Sequence, residues 1–323
     1  MKRLYTTLFL VCAICLNIWA VKKVTYPYAE RDSTLYLDVY MPEDTLSEHP
    51  CFIYLFGGGF KSGTKSQPRD VVVFEQLCNN GIVCVAIDYR LGLKNYEGKV
   101  IDLLNRLEYS INIATEDLID ATNFIIGKAK ELKINPKHII LSGSSAGAIT
   151  SLQADFYLQN GNEYAKRLPE GFKFGGVIAF AGAVAKIKGA KVKYKNQPAP
   201  TFFIHGTKDK LVRYNKIDIF GRGMYGSNAL AKQFSKNGWH HKIMRYKNFG
   251  HDVAIIGFRE NVPAIVDFIN QYVVSPKYNF SEDVMHSEPE VKEPLWNINA
   301  LRLYEKDIKP QVTKDPVMLQ RLR

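Results

Sequence analysis

"HIILSGSSAGAIT", residues His138 to Thr150, runs from an apolar, strand-like segment through Gly143-Ser144-Ser145-Ala146-Gly147 into a helix-like one. The centre matches G-x-S-x-G, and the flanking strand and helix supply the context in which that pattern carries chemistry. Glycines at both ends let the two backbones approach at a tight turn. The middle residue, Ser145, then projects above a sheet edge at a helix N-terminus. Ser142 and Ser144 stand off that register.

Outward from this stretch the chain alternates between two patterns. Thr34 to Tyr40 alternates as a half-buried strand, and "CFIYLF", "IVCVAIDY", "HIILSG", "GVIAFAG" and "TFFIHG" are short apolar runs closed by polar residues or glycine. Helical spacing is read over Val71 to Asn79, Thr115 to Leu132, Ala146 to Leu158, Ser227 to Lys236 and Pro263 to Val273. Apolar strands separated by helices predict one α/β domain over residues 21–274, a mostly parallel sheet with helices on both faces. The segments from Gly147 to the next strand and from Gly182 to Thr201 are too short for a large lid, so a small or absent one is expected.

The two ends read differently. Lys2 and Arg3, the apolar run Leu8 to Leu16 and a small residue at Ala20 make residues 1–20 a secretory signal peptide, with the mature chain starting near Val21 and no membrane span left after cleavage. The protein is expected to be exported, periplasmic or secreted. Residues 275–323 hold five of the fourteen prolines and a few scattered hydrophobics such as Trp296, which predicts a partly ordered or disordered tail.

Loss of Lys2 and Arg3 lowers the formal net charge from +11 to +9. No zinc-finger spacing, arginine-rich run or aromatic RNA-binding signature accompanies that charge, so no nucleic-acid partner is expected. Cys51, Cys78 and Cys84 remain, an odd number that points to buried free thiols and leaves a Cys78 to Cys84 bridge open.

A serine hydroxyl needs a base to take its proton as it attacks, and usually a carboxylate behind that base. His251, in "YKNFGHDVAI", follows a strand-like run and precedes the last helix, where a sheet-edge loop brings it over Ser145. His49, His138, His240 and His241 precede strand-like runs and fall at the opposite edge; His205 reads as structural, and His286 lies in the tail. The carboxylate belongs between serine and histidine in sequence, after the penultimate strand. "TFFIHGTKDKLV" supplies Asp209 there, with Asp218 as the fallback.

"FIYLFGGGFKSG", Phe52 to Gly63, ends an apolar strand in three glycines. Attack on a carbonyl builds charge on its oxygen, and bare backbone N–H groups that approach closely stabilise it. Gly57 to Gly59 are therefore read as making room for an oxyanion, with the N–H of Ala146 after the nucleophile as a further donor.

Taken together, "GGGF", "DYRL", "NPKHIILSGSSAGA", "HGTKD" and "GHD" resemble the esterase/lipase branch of the α/β-hydrolase superfamily over about Tyr36 to Val273. The likeness is strongest to the carboxylesterases, the hormone-sensitive-lipase-like enzymes and the compact bacterial acetyl and feruloyl esterases. This resemblance implies the α/β-hydrolase fold, the catalytic residues Ser145, Asp209 and His251, and Gly58, Gly59 and Ala146 as the donors of the oxyanion hole. It further implies carboxylic ester hydrolysis through an acyl-enzyme, with acyl groups on plant or other polysaccharides as one substrate class. Asp88 and Arg90 carry over as structural. One position departs: Phe56 stands where the family usually has histidine, which puts the rigidity of the glycine loop in question.

No metal or cofactor is expected, since neither H-E-x-x-H nor a dinucleotide glycine fingerprint is present. The expected partner is a small-molecule or glycan ester. A catalytically weak binding protein and a serine peptidase on the same fold are the alternatives. Lys186, Lys188, Lys191, Lys193 and Lys195 form either a solvated loop or a pocket rim that draws acidic glycans.

Overall fold

The apolar runs of the sequence form the middle of a nine-stranded sheet in a computed structural model that describes residues 21–97, 100–187, 191–219 and 221–276 and the strand Ser281–His286. The predicted signal peptide and the rest of the tail lie outside the described residues. The strands are β1 (Lys22–Glu30), β2 (Thr34–Met41), β3 (His49–Leu55), β4 (Val83–Ile87), β5 (Ile134–Ser144), β6 (Gly176–Phe180), β7 (Ala183–Lys186), β8 (Thr201–Gly206), β9 (Lys216–Ile219), β10 (Arg222–Gly226), β11 (His241–Tyr246) and β12 (Ser281–His286). The helices are α1 (Pro68–Cys78), α2 (Val100–Gly127), α3 (Ala146–Asn160), α4 (Ser227–Lys236), α5 (Val253–Glu260) and α6 (Val262–Phe268).

The main sheet runs β1-β2-β4-β3-β5-β6-β8-β11-β12. Strands β1 and β2 are antiparallel to their neighbours, and every pairing from β4 to β12 is parallel. Helices α2, α3 and α4 cover one face, while α1, α5 and α6 pack together on the other. This is the mostly parallel sheet with helices on both faces that the alternation predicted, since strands buried on both faces read as continuous apolar runs, and it agrees with the α/β-hydrolase fold that the resemblance implied. A second sheet, β7-β10-β9, is built from the connections that leave the C-terminal ends of β6 and β8. Among the described residues no helix is long and apolar enough to cross a membrane.

Several elements depart from the expectations. Helix α2 begins at Val100, not Thr115, and ends at Gly127. Its first turns are half-exposed, so they lack the full buried stripe by which a core helix is recognised. Strand β12 lies within the expected tail and pairs with β11 through backbone groups, which an edge strand does without an apolar pattern. Strand β1 and helix α5 were not anticipated. Helix α5 is separated from α6 at Asn261, two residues before Pro263, where the ring of proline favours a new helix start. Cys51, Cys78 and Cys84 are all buried and free, which closes the Cys78 to Cys84 alternative.

One aromatic cluster fixes the face that carries α5. Phe258 of α5 stacks on Tyr54 of β3 with centroids 4.4 Å apart, and it also meets Phe52, Phe74 and Phe180. All five rings are buried. The Ser144 hydroxyl donates to the Ala254 carbonyl, tying the first turn of α5 to the end of β5. The start of α5, and with it the loop that carries His251, is thereby held against the turn of Ser145.

Helix α3 carries a cost on the other face. Asp155 is fully buried, and burial pushes its carboxyl up to about 6 although Gln159 and the Ala199 N–H donate to it. The folded state thus holds this proton more tightly than the unfolded chain, whose carboxyl titrates at about 3.9. Stability from this group is complete below that value and is lost as pH rises towards 6. Asp155→Asn removes the dependence: the melting temperature of the variant relative to wild type is expected to rise between about pH 4 and pH 7, by the equivalent of about 2 to 3 kcal/mol. A difference that stays flat across that range contradicts the assignment.

Candidate active site

The turn between β5 and α3 forces Ser145 into φ 52° and ψ −113°, outside the ordinary regions for a side-chain-bearing residue. Its neighbours show why glycines flank it. A Cβ on Gly143 would lie 2.4 Å from the Gly147 carbonyl carbon, and one on Gly147 would lie 2.1 Å from the Leu55 carbonyl oxygen. The strained turn is anchored on both sides: the Ser145 N–H donates to the Phe180 carbonyl at 2.9 Å, and the Ile149 N–H donates to the Ser145 carbonyl at 2.9 Å. Ser145 remains partly exposed, whereas Ser142 and Ser144 are buried.

His251 and Asp209 converge on that hydroxyl. His251 Nε2 lies 2.8 Å from Ser145 Oγ, and its Nδ1 lies 2.7 Å from Asp209 Oδ2. The carboxylate fixes the tautomer: Nδ1 donates to it, which leaves Nε2 as the acceptor for the serine proton. Burial alone would raise the Asp209 carboxyl, but the His251 and His205 imidazoles and their hydrogen bonds outweigh it and hold the group well below the usual carboxylate range. Its second oxygen accepts the N–H groups of Leu211 at 2.9 Å and Val212 at 3.0 Å. The fallback Asp218 sits on β9, paired with Lys186 of β7.

The sequence left His205 as structural; its contacts make it a brace for Asp209. The ring is fully buried at the end of β8, with Nε2 3.1 Å from Asp209 Oδ2 and 3.0 Å from the Val212 carbonyl. Two acceptors at Nε2 require the proton there, and Nδ1 faces the Ser227 hydroxyl at 2.8 Å. A histidine at a strand end gives no sign in sequence that its partners come from the following loop and from α4. His49 and His241 begin β3 and β11, and His240 precedes β11, so these three stand at the opposite sheet edge from Ser145.

The glycine loop follows β3 directly. Gly58 has φ 129° and Gly59 has φ 63°, and a Cβ on Gly58 would come within 1.9 Å of the Ser62 carbonyl oxygen. The Gly58 carbonyl accepts the N–H groups of Lys61 and Ser62, which closes the loop. Gly57 passes so close to Ser145 that an added Cβ would lie 3.3 Å from Ser145 Cβ. Among the described residues no protein acceptor takes the N–H of Gly58, Gly59 or Ala146.

Phe56 answers the question its position raised. Its ring is buried and stacked on Tyr89 with centroids 4.5 Å apart, and the Tyr89 hydroxyl donates to the Phe56 carbonyl at 2.6 Å. A Cβ on Gly63 would fall 2.3 Å from the Phe56 ring, so the loop also closes over it. Aromatic packing and one backbone hydrogen bond hold the loop without an imidazole. Arg90, next to Tyr89, is bound to Asp117 of α2, and Asp88 pairs with Lys65 at 2.9 Å.

Residues 37–197 match the BD-FAE family model. The cAMP-regulated D2 protein of Dictyostelium discoideum is 32% identical over 130 residues, which are 39% of this chain and 22% of that protein. The fold resembles that of esterase 2 from Thermogutta terrifontis, solved in a form phosphoramylated by tabun: TM-score 0.58, 19% identity, 79% of this chain and 97% of the other. Esterase Est22 aligns at TM-score 0.53 and 13% identity, over 78% of this chain and 80% of its own. The chain shares the α/β-hydrolase fold of these solved esterases.

His205 is linked to Ser145 only through Asp209 and His251. A hydrogen bond to a charged group is worth about 1.5 to 3 kcal/mol, so His205→Leu is expected to lower kcat about tenfold or more with KM little changed. His205→Gln, which keeps a donor, is expected to recover part of the loss. A variant that melts earlier yet retains wild-type kcat shows that the residue only packs.

Proposed function

We propose that the protein hydrolyses carboxylic esters, with Ser145 as nucleophile, His251 as general base and Asp209 as the carboxylate that orients the base. One observation carries this reading: the unbroken hydrogen-bonded chain from Ser145 Oγ through His251 to Asp209 Oδ2, at 2.8 Å and 2.7 Å. It lies beside amides that have no acceptor of their own.

In acylation Ser145 Oγ attacks the ester carbonyl carbon as His251 Nε2 takes its proton. The carbonyl oxygen gains negative charge and is met by the N–H groups of Gly58, Gly59 and Ala146. Donors of this kind each contribute about 3 to 4 kcal/mol to the transition state. Asp209, kept ionised, stabilises the imidazolium. The C–O bond then breaks, the leaving alcohol takes the proton from His251, and an acyl group remains on Ser145. Water, deprotonated by the same Nε2, attacks the acyl carbon, and collapse of the second intermediate releases the acid and restores the hydroxyl.

Short acyl groups on small alcohols are the substrates to test first. Thermogutta terrifontis esterase 2 has been solved with propionate and with butyrate bound, and the strand-to-helix scaffold is shared. Acyl groups on polysaccharides are the finer reading, supported by the resemblance to acetyl and feruloyl esterases. The leader read in residues 1–20 supports action outside the cytoplasm, where such glycans are met.

With 4-nitrophenyl acetate, Ser145→Ala is expected to lower kcat by a factor of about a thousand or more at an unchanged melting temperature. Undiminished turnover by a folded Ser145→Ala protein contradicts the proposal, and a wild type with no turnover on any short aryl ester favours the binding-protein alternative.

A further inference from the structure

Asp209 Oδ2 is shared by two imidazoles, and each imidazole ends on a serine. On the catalytic side His251 Nδ1 lies 2.7 Å from that oxygen and Nε2 lies 2.8 Å from Ser145 Oγ. On the other side His205 Nε2 lies 3.1 Å from the same oxygen and Nδ1 lies 2.8 Å from Ser227 Oγ. The reaction at Ser145 uses only the first arm. Ser227 and His205 are fully buried, so no ester reaches the second.

The placement of Ser227 is built into the fold. It is the first residue of α4 and directly follows β10, whose Gly226 pairs with Ala183 of β7. The Gly226 N–H donates to the Asn215 carbonyl at 2.6 Å, and a Cβ on Gly226 would lie 1.7 Å from the Arg213 carbonyl oxygen. The chain entering α4 is thus pressed against the segment that follows Asp209. The small sheet thereby delivers a hydroxyl to the far nitrogen of the His205 ring.

Two proton arrangements satisfy these contacts. In the first, the Ser227 hydroxyl donates to Nδ1, and His205 is neutral with its one ring proton on Nε2. In the second, His205 is an imidazolium, Nδ1 donates to Ser227 Oγ, and the serine proton turns to the Gly182 carbonyl. Distance separates the two: Ser227 Oγ lies 2.8 Å from Nδ1 but 3.4 Å from the Gly182 oxygen, beyond the usual reach of a hydroxyl donor.

Charge points the same way. The ionisable groups around His205 are Asp209, Tyr214, whose ring lies edge-on at 5.6 Å, and Arg245, its register partner on β11. The Arg245 guanidinium lies over that same tyrosine ring at 5.8 Å. A cation at His205 would have no solvent and would stand near a second cation. It would also compete for the one carboxylate that His251 needs when it takes the serine proton.

We propose that Ser227 is a positioning residue for the hydrolysis: its hydroxyl donates to His205 Nδ1 and holds that ring neutral, so that Asp209 keeps its full negative charge for the imidazolium formed at His251. This rests on the esterase reading of Ser145.

Proton–nitrogen correlation NMR of the wild-type histidine rings at about pH 7.5 reads the arrangement directly, with His205 assigned by the signals lost in His205→Gln. The expected ring carries a proton on Nε2 and none on Nδ1. A His205 protonated on Nδ1, alone or together with Nε2, overturns the proposal. With 4-nitrophenyl acetate, Ser227→Ala is expected to lower kcat about fivefold with KM little changed, and Ser227→Thr, which keeps the hydroxyl, to recover part of the loss. A folded Ser227→Ala protein with wild-type kcat overturns the positioning role. The spectrum needs no substrate: a wild type with the expected ring that turns over no ester overturns the esterase reading and leaves the hydrogen-bond assignment standing.

Discussion

The site depends on a backbone constraint at one residue. Strand β5 and helix α3 approach so closely that only glycine fits at positions 143 and 147, and Ser145 between them is held at a positive φ that its side chain disfavours. The strain persists because its surroundings leave no alternative: the amide of Ser145 is tied to β6, its carbonyl to α3 and the neighbouring Ser144 hydroxyl to α5. The result is a hydroxyl at the C-terminal edge of a parallel sheet, where the loops after β3, β8 and β11 meet. Open α/β sheets place their ligand sites at that edge.

Packing and electrostatics then divide the work of positioning. The aromatic cluster around Phe258 fixes α5 and so the approach of His251. Asp209 is buried but ionised, because four donors from His251, His205, Leu211 and Val212 replace the water it gave up. An ionised carboxylate in a nearly dry pocket interacts more strongly with an imidazolium than a solvated one would. The glycine loop is stiffened by another means, the stack of Phe56 on Tyr89 and the hydrogen bond that Tyr89 makes to the Phe56 carbonyl. Loss of a histidine at position 56 therefore does not mean loss of the loop.

What was legible in the sequence follows from these constraints. Gly143 and Gly147, and the run Gly57 to Gly59, are visible because close backbone approach demands a residue type. Ser145, Asp209 and His251 were found by strand order and loop position, and the structure brings the three together. The parallel sheet was legible because strands buried on both faces are unbroken apolar runs. Other features leave no such imprint. Strands β1 and β12 form by backbone pairing at the edges, and the first half of α2 buries its apolar residues only partly. The parts played by His205 and Tyr89 rest on contacts with a loop carbonyl, a distant serine and a main-chain oxygen, which composition and spacing do not encode.

The measurement that reaches the central claim most directly is covalent labelling with a fluorophosphonate, followed by mapping of the modified peptide. The account predicts a single adduct on residue 145, formed rapidly in the wild type and nearly abolished in a folded His251→Ala protein. An adduct on any other residue, or labelling of residue 145 that proceeds equally fast without the imidazole, would contradict it.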